Sequence, residues 1–107
     1  MEFVLVNAFS INMLGRSGHD LALRPVNVDA VRNLHRAHGL VSAVGHADTA
    51  AVLSGLLGFP VKCNRVNVTL DRDHSLVVAQ YRGPRLPEGA TELPENATIE
   101  FWQVYHI

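Results

Sequence analysis

The stretch Phe3-Val4-Leu5-Val6 limits the architecture more than any other feature of this chain. It is an unbroken apolar run at the N-terminus that ends in the polar Asn7, as an inner strand of a sheet does. A chain of 107 residues supports one domain around one core, so residues 1–107 are expected to form a single unit. The second organising stretch is Gly45-His46-Ala47-Asp48-Thr49 with the helix it opens. Ala50, Leu53, Leu56 and Leu57 fall on one side at helical spacing, and Gly58 followed by Pro60 supplies the stop.

Between these landmarks the pattern is partly decisive. Asn27 is a good N-cap for a helix over Val28–His38, with Val28, Val31 and Leu34 as its apolar stripe and Gly39 as its end. Asp29 in the first turn and Arg36 and His38 in the last suit the helix dipole. Gly15 to Arg24 reads as a mobile connection or a short edge hairpin. Val41 to Val44 is short and extended, leading into the Gly45-His46 turn, where Gly45 fits a close backbone approach or a positive φ. Val66, Val68 and Leu70 alternate with Arg65, Asn67 and Thr69. That predicts a strand over Val61–Leu70, forming a hairpin with Ser75–Tyr81 through the turn Asp71–His74. A last strand spans Thr98–Tyr105, with Ile99, Phe101 and Trp102 turned inward.

Charge and cysteine content narrow the function classes. A net charge of −1 and a pI near 6.6 provide no long-range field for duplex DNA, so any nucleic-acid site is a local cluster of arginines. Cys63 is the only cysteine, which rules out an intrachain disulfide and makes a reducing compartment the default expectation. No apolar run is long enough to span a bilayer, and the N-terminus lacks the basic lead of a signal peptide; a cytoplasmic location is expected.

Three groups of residues carry candidate chemistry. A helix start offers unpaired backbone N–H groups and the positive end of the dipole, which suits a phosphate, and His46 at that start can donate to an anion or deliver a proton. Arg82 and Arg85 leave a strand end into Gly83-Pro84-Arg85-Leu86-Pro87-Glu88-Gly89, a turn stiffened by two prolines, where a guanidinium fork can grip a phosphate. Asn7, Ser10 and Asn12 sit where a strand-end loop contacts a ligand, although Asn and Ser also serve turns. His35 and His38 share a helix face, but no third ligand is spaced to join them, and they are expected to be solvated surface histidines.

Phe9-Ser10-Ile11-Asn12-Met13-Leu14, Ser42-Ala43-Val44-Gly45-His46, Asn64-Arg65-Val66 and Val78 through Gly89 occur in this order and at similar spacing in a known family. On these blocks the chain resembles the viral anti-CRISPR ring nucleases and their host-encoded relatives, which degrade cyclic tetra-adenylate, the second messenger of type III CRISPR immunity. The resemblance is weakest between Gly15 and Gly39 and most specific over Gln80–Gly89. It implies an α/β (α+β) domain with a mixed β-sheet flanked by helices. It also implies a homodimer that binds the cyclic RNA across the subunit interface. By resemblance His46 is the catalytic histidine, Arg85 and Glu88 complete the active site, and Arg65 contacts phosphate. Asn7, Ser10, Asn12, Gln80, Arg82 and Thr49 are the further substrate-binding positions. For a viral protein the expected compartment is the host-cell cytoplasm.

These residue types suit that chemistry. RNA carries its own nucleophile, the ribose 2′-OH, so aligning it with the adjacent phosphate requires no metal and no other cofactor. Histidine titrates near neutrality and can protonate the leaving 5′-oxygen, a role worth roughly 10²–10⁴-fold. Arg65 or Arg85 stabilises the developing charge. Glu88 orients Arg85 or accepts the 2′-OH proton, and the residue pattern supports both. The alternative from another class is a non-catalytic module that sequesters or senses cyclic oligoadenylate with the same residues.

Overall fold

Local capping signals place both helices. In the computed structural model, which describes residues 1–107, Asn27 accepts a hydrogen bond from Ala30 N–H (2.8 Å) and opens α1, Val28–His38. Gly39 ends α1 at a φ of 74°. The second helix, α2, spans Ala47–Leu57 after His46 and stops at Gly58, which takes the left-handed conformation with φ 77°. Arg32 of α1 then reaches across to the end of α2, donating from Nε to Leu57 O (3.1 Å) and from Nη2 to Leu56 O (2.8 Å). These are carbonyls that a helix C-terminus leaves without intrahelical partners, so α1 caps α2 in space.

Five strands form one mixed sheet: β1 Glu2–Val6, β2 Leu21–Val26, β3 Leu40–Ser42, β4 His74–Arg82 and β5 Thr98–His106. Their order is β2-β5-β4-β1-β3. The N-terminal run is an inner strand, parallel to β3 on one side (Val4 opposite Val41) and to β4 on the other (Leu5 opposite Val77). Strand β5 is antiparallel to both β4 and β2. The carboxyl ends of β1, β3 and β4 therefore lie along one rim of the sheet.

Alternation along the strands separates two faces. Leu5, Val77, Ala79 and Phe101 meet Val31 of α1 and Ala50, Leu53 and Leu57 of α2. Val4, Val6, Leu76, Val78 and Val104 face the other way, packed with Leu70 and partly buried Phe9, Met13, Leu14 and Trp102. The resemblance implies a sheet flanked by helices; here both helices cover one face, and the irregular segments around residues 9–14 and 68–70 cover the other.

Two local expectations are corrected and two are narrowed. Residues 61–70 form no strand and no hairpin. Their backbone follows the end of β3 instead, through a bridge between Val44 and Cys63, with Asn64 N–H donating to Val44 O (2.7 Å). The apolar alternation there serves packing, since Val68 and Leu70 join the second core. Of Gly15 to Arg24, residues 21–24 lie in β2, which is at the sheet edge as the second alternative has it but pairs with β5 and forms no hairpin of its own; Pro25 is tolerated because an edge strand has a free side. Of the two alternatives at Gly45 the positive φ is absent, and the residue lies against the stem of Arg65. His35 is only half solvated: its ring stacks on Phe59 at 3.7 Å between centroids, and its Nδ1 accepts from Leu40 N–H (3.1 Å). His38 is exposed, as expected, with its ring tilted over Phe3 at 4.8 Å between centroids.

Candidate active site

Three backbone segments meet at the rim formed by the carboxyl ends of β1, β3 and β4, the usual location for ligands in sheets with parallel strands. After β3 the chain continues alongside β1 and Cys63 through Ala43 and Val44 and then enters α2 by way of Gly45 and His46. His46 is the N-cap of that helix by position, but its side chain makes no capping hydrogen bond, so the imidazole is exposed and uncommitted. Beside it, Asn7 at the end of β1 accepts from Gly45 N–H through Oδ1 (3.2 Å), which fixes the turn that carries His46. On the far side, Ser42 Oγ donates to Lys62 O (2.6 Å) and Asn64 Nδ2 donates to Ser42 O (2.8 Å). Together these bonds run residues 62–64 alongside the end of β3 and bring Arg65 next to Gly45.

The third segment is the long loop over residues 83–97 between β4 and β5. It leaves the sheet at Gly83, whose φ is 147°; a Cβ there would lie 2.7 Å from Ala97 Cβ and 2.8 Å from Ala97 Cα. Only glycine lets the two ends of this loop pass so closely. Tyr81 donates its hydroxyl proton to Pro84 O, bracing the first turn. Ala90 N–H donates to Pro87 O (3.1 Å) and closes a second turn. Gly89 N–H donates to Asp48 Oδ1 (3.0 Å), which ties the loop to the first turn of α2.

The result is a cleft of about 860 Å³ lined by His46, Asp48, Thr49, Tyr81, Arg85, Leu86, Pro87 and Glu88. That volume lies within the range of small-molecule sites, roughly 300–1,000 Å³. All three residues expected to be catalytic, His46, Arg85 and Glu88, line it, together with Thr49. The chain's three ion pairs are Arg32–Asp29, His74–Asp71 and Arg82–Glu100, so the Arg85 guanidinium and the Glu88 carboxylate face the cleft without a charged partner. An imidazole, a guanidinium and a carboxylate around the start of a helix can bind an anion and move a proton on it.

The other expected ligand contacts are dispersed. Arg65 is exposed at the edge of the same rim, beside Gly45. Asn7 serves the rim from below, and its side-chain oxygen is committed to Gly45. Ser10 caps the single 3-10 turn Ile11–Met13, accepting from Asn12 N–H (3.2 Å), and both residues lie outside the cleft. Gln80 and Arg82 alternate with Tyr81 along β4 and so emerge on the opposite face, beside Phe9, Val78 and Trp102. There Arg82 Nε pairs with Glu100 Oε1 (3.1 Å). Of the lining residues outside the expected set, Asp48, Tyr81, Leu86 and Pro87, Asp48 is the one with a carboxylate. An acidic residue in the first turn of a helix is a common dipole complement, and its partner Gly89 is too distant in sequence to signal the contact.

Comparison with known proteins adds a family. No curated protein matches the chain. Among solved structures, B116 of Sulfolobus turreted icosahedral virus (STIV) superposes with a TM-score of 0.81 at 24% sequence identity, covering 99% of this chain and 100% of that one. At that identity the likeness is one of fold. The family model described as STIV B116-like matches residues 3–102, nearly the full length of the chain. By that match the protein belongs to the STIV B116-like family.

Proposed function

We propose that this protein is a metal-independent ring nuclease that opens cyclic tetra-adenylate to linear products ending in a 2′,3′-cyclic phosphate and so switches off type III CRISPR signalling. The observation that carries this reading is the convergence of His46, Arg85 and Glu88 on one cleft, although about forty residues of chain separate the first from the other two. The motif resemblance to anti-CRISPR ring nucleases adds support. So does the fold likeness to B116, a protein of a virus.

In the proposed reaction a phosphodiester of the ring lies at the start of α2, held by backbone N–H groups and by Arg85, with Arg65 at the rim. The ribose 2′-oxygen attacks the adjacent phosphorus and the bond from phosphorus to the 5′-oxygen breaks. His46 as imidazolium gives its proton to the departing 5′-oxygen. Glu88, whose carboxylate pairs with no cation of the chain, accepts the 2′-OH proton. Charge stabilisation by the guanidinium is the largest single contribution expected in such a site. No external nucleophile is needed, because the substrate supplies one.

A cyclic tetranucleotide extends beyond one open cleft, and its four-fold symmetry contains a two-fold. A symmetric homodimer that presents the same rim twice is the economical host, with the ring at the subunit interface. Incubating the protein in excess over labelled cyclic tetra-adenylate tests the reading. Conversion to linear product supports it; return of the intact ring after tight binding would assign the protein to the sequestering or sensing class instead.

A further inference from the structure

We infer that Asp48 is a positioning residue, the latch that holds the loop bearing Arg85 and Glu88 against the helix start bearing His46. The inference rests on the proposed function for its catalytic consequence, while the latch itself is a property of the fold. Its basis is the hydrogen-bond pattern of residues 83–97. Tyr81 OH to Pro84 O, Ala90 N–H to Pro87 O and Ala97 N–H to Pro94 O are all made within the loop or to its own stalk. The bond from Gly89 N–H to Asp48 Oδ1 (3.0 Å) is the one that crosses to another element. Arg85 and Glu88 are both exposed and lie between the Pro84 brace and Gly89, so the hydrogen bonds flanking them are the ones at those two ends. Gly89 itself has a φ of 79°, a left-handed conformation that costs a glycine little.

Asp48 has a simpler role available, since a carboxylate in the first turn of a helix stabilises the dipole wherever it points. The two roles separate chemically. Asp48→Asn removes the charge but keeps a side-chain oxygen that can accept from Gly89 N–H. Asp48→Ala removes both. A dipole role predicts that the two variants are alike, and a latch predicts that they differ.

The experiment measures amide hydrogen exchange at Gly89 and ring-cleavage kinetics in the native protein, Asp48→Asn and Asp48→Ala. The expected result is exchange at Gly89 about tenfold faster in Asp48→Ala, the loss of one charge-assisted hydrogen bond, and within about threefold of native in Asp48→Asn. The turnover number falls by about tenfold or more in Asp48→Ala and is restored in Asp48→Asn. In the Asp48→Ala background, Glu88→Ala costs less than it does in the native protein, because the latch acts through that loop. Unchanged Gly89 exchange in Asp48→Ala, or equal loss of turnover in both Asp48 variants, overturns the latch. So does native turnover in an Asp48→Ala protein whose Gly89 has lost protection. A native protein that leaves the ring intact refutes the proposed nuclease, yet Gly89 exchange still decides whether the latch exists.

Discussion

Replacing Gly83 with alanine tests how the Arg85–Glu88 loop is built. Two independent costs arise at this position. The φ of 147° is one that L side chains rarely adopt, a strain of about 1–3 kcal/mol. The new Cβ would also meet Ala97 Cβ at 2.7 Å and Ala97 Cα at 2.8 Å, with Asn96 O at 3.2 Å. These are mostly backbone or backbone-proximal atoms, and Ala97 is buried, so no flexible side chain can swing away. Overpacking of that kind costs about 1–3 kcal/mol more. The sum, about 2–6 kcal/mol, is a large part of a typical domain's 5–15 kcal/mol. For a domain of this size it corresponds to a fall in Tm of about 8–24 °C. Differential scanning calorimetry of Gly83→Ala reads it directly. Gly18→Ala is the control, because a Cβ there meets nothing within 4 Å and the backbone is not in the left-handed region. A Gly83→Ala protein that melts within about 2 °C of native would refute the close approach of the two ends of the loop.

Further outcomes follow from the same structure. Arg32→Ala should lower Tm by about 4–8 °C, since it removes both cross-helix bonds to Leu56 O and Leu57 O while its pair with exposed Asp29 contributes little. An unchanged melting curve would dismiss the spatial cap. His46→Ala should keep affinity for cyclic tetra-adenylate while losing at least about 10²-fold in cleavage rate, whereas Arg85→Ala should lose both. Isothermal titration and single-turnover rates measure the two effects. A loss of affinity in His46→Ala comparable to its loss of rate would count against proton transfer by that residue.

The legible parts of the fold were those specified locally. Asn27, Gly39 and Gly58 each act within a turn of their own helix, and both helices lie where these residues put them. The run Phe3–Val6 announced an inner strand because both of its faces are covered. Edge strand β2 escaped because its glycine-rich approach and Pro25 are locally unfavourable, while its support is the pairing with β5 near the far end of the chain. Residues 61–70 misled for the opposite reason. Their alternation is real, but Ser42 and Val44 draw the backbone of residues 62–64 alongside β3 and away from β4.

The candidate site divides in the same way. His46, Arg85 and Glu88 were identified by residue type and motif, and they share a cleft. Asn7 and Ser10 also serve local structure, their oxygens accepting from Gly45 N–H and Asn12 N–H. Strand parity, which needs the exact bounds of β4, puts Gln80 and Arg82 on the face away from His46. Asp48 gave no signal because a bond to Gly89 is visible only after the loop has closed.

The most direct measurement mixes the purified protein with cyclic tetra-adenylate in excess EDTA and identifies the products by mass. Linear adenylates carrying a 2′,3′-cyclic phosphate, formed as fast as without the chelator, are the predicted result. An intact ring, or cleavage that appears only when divalent ions are added, would contradict the account.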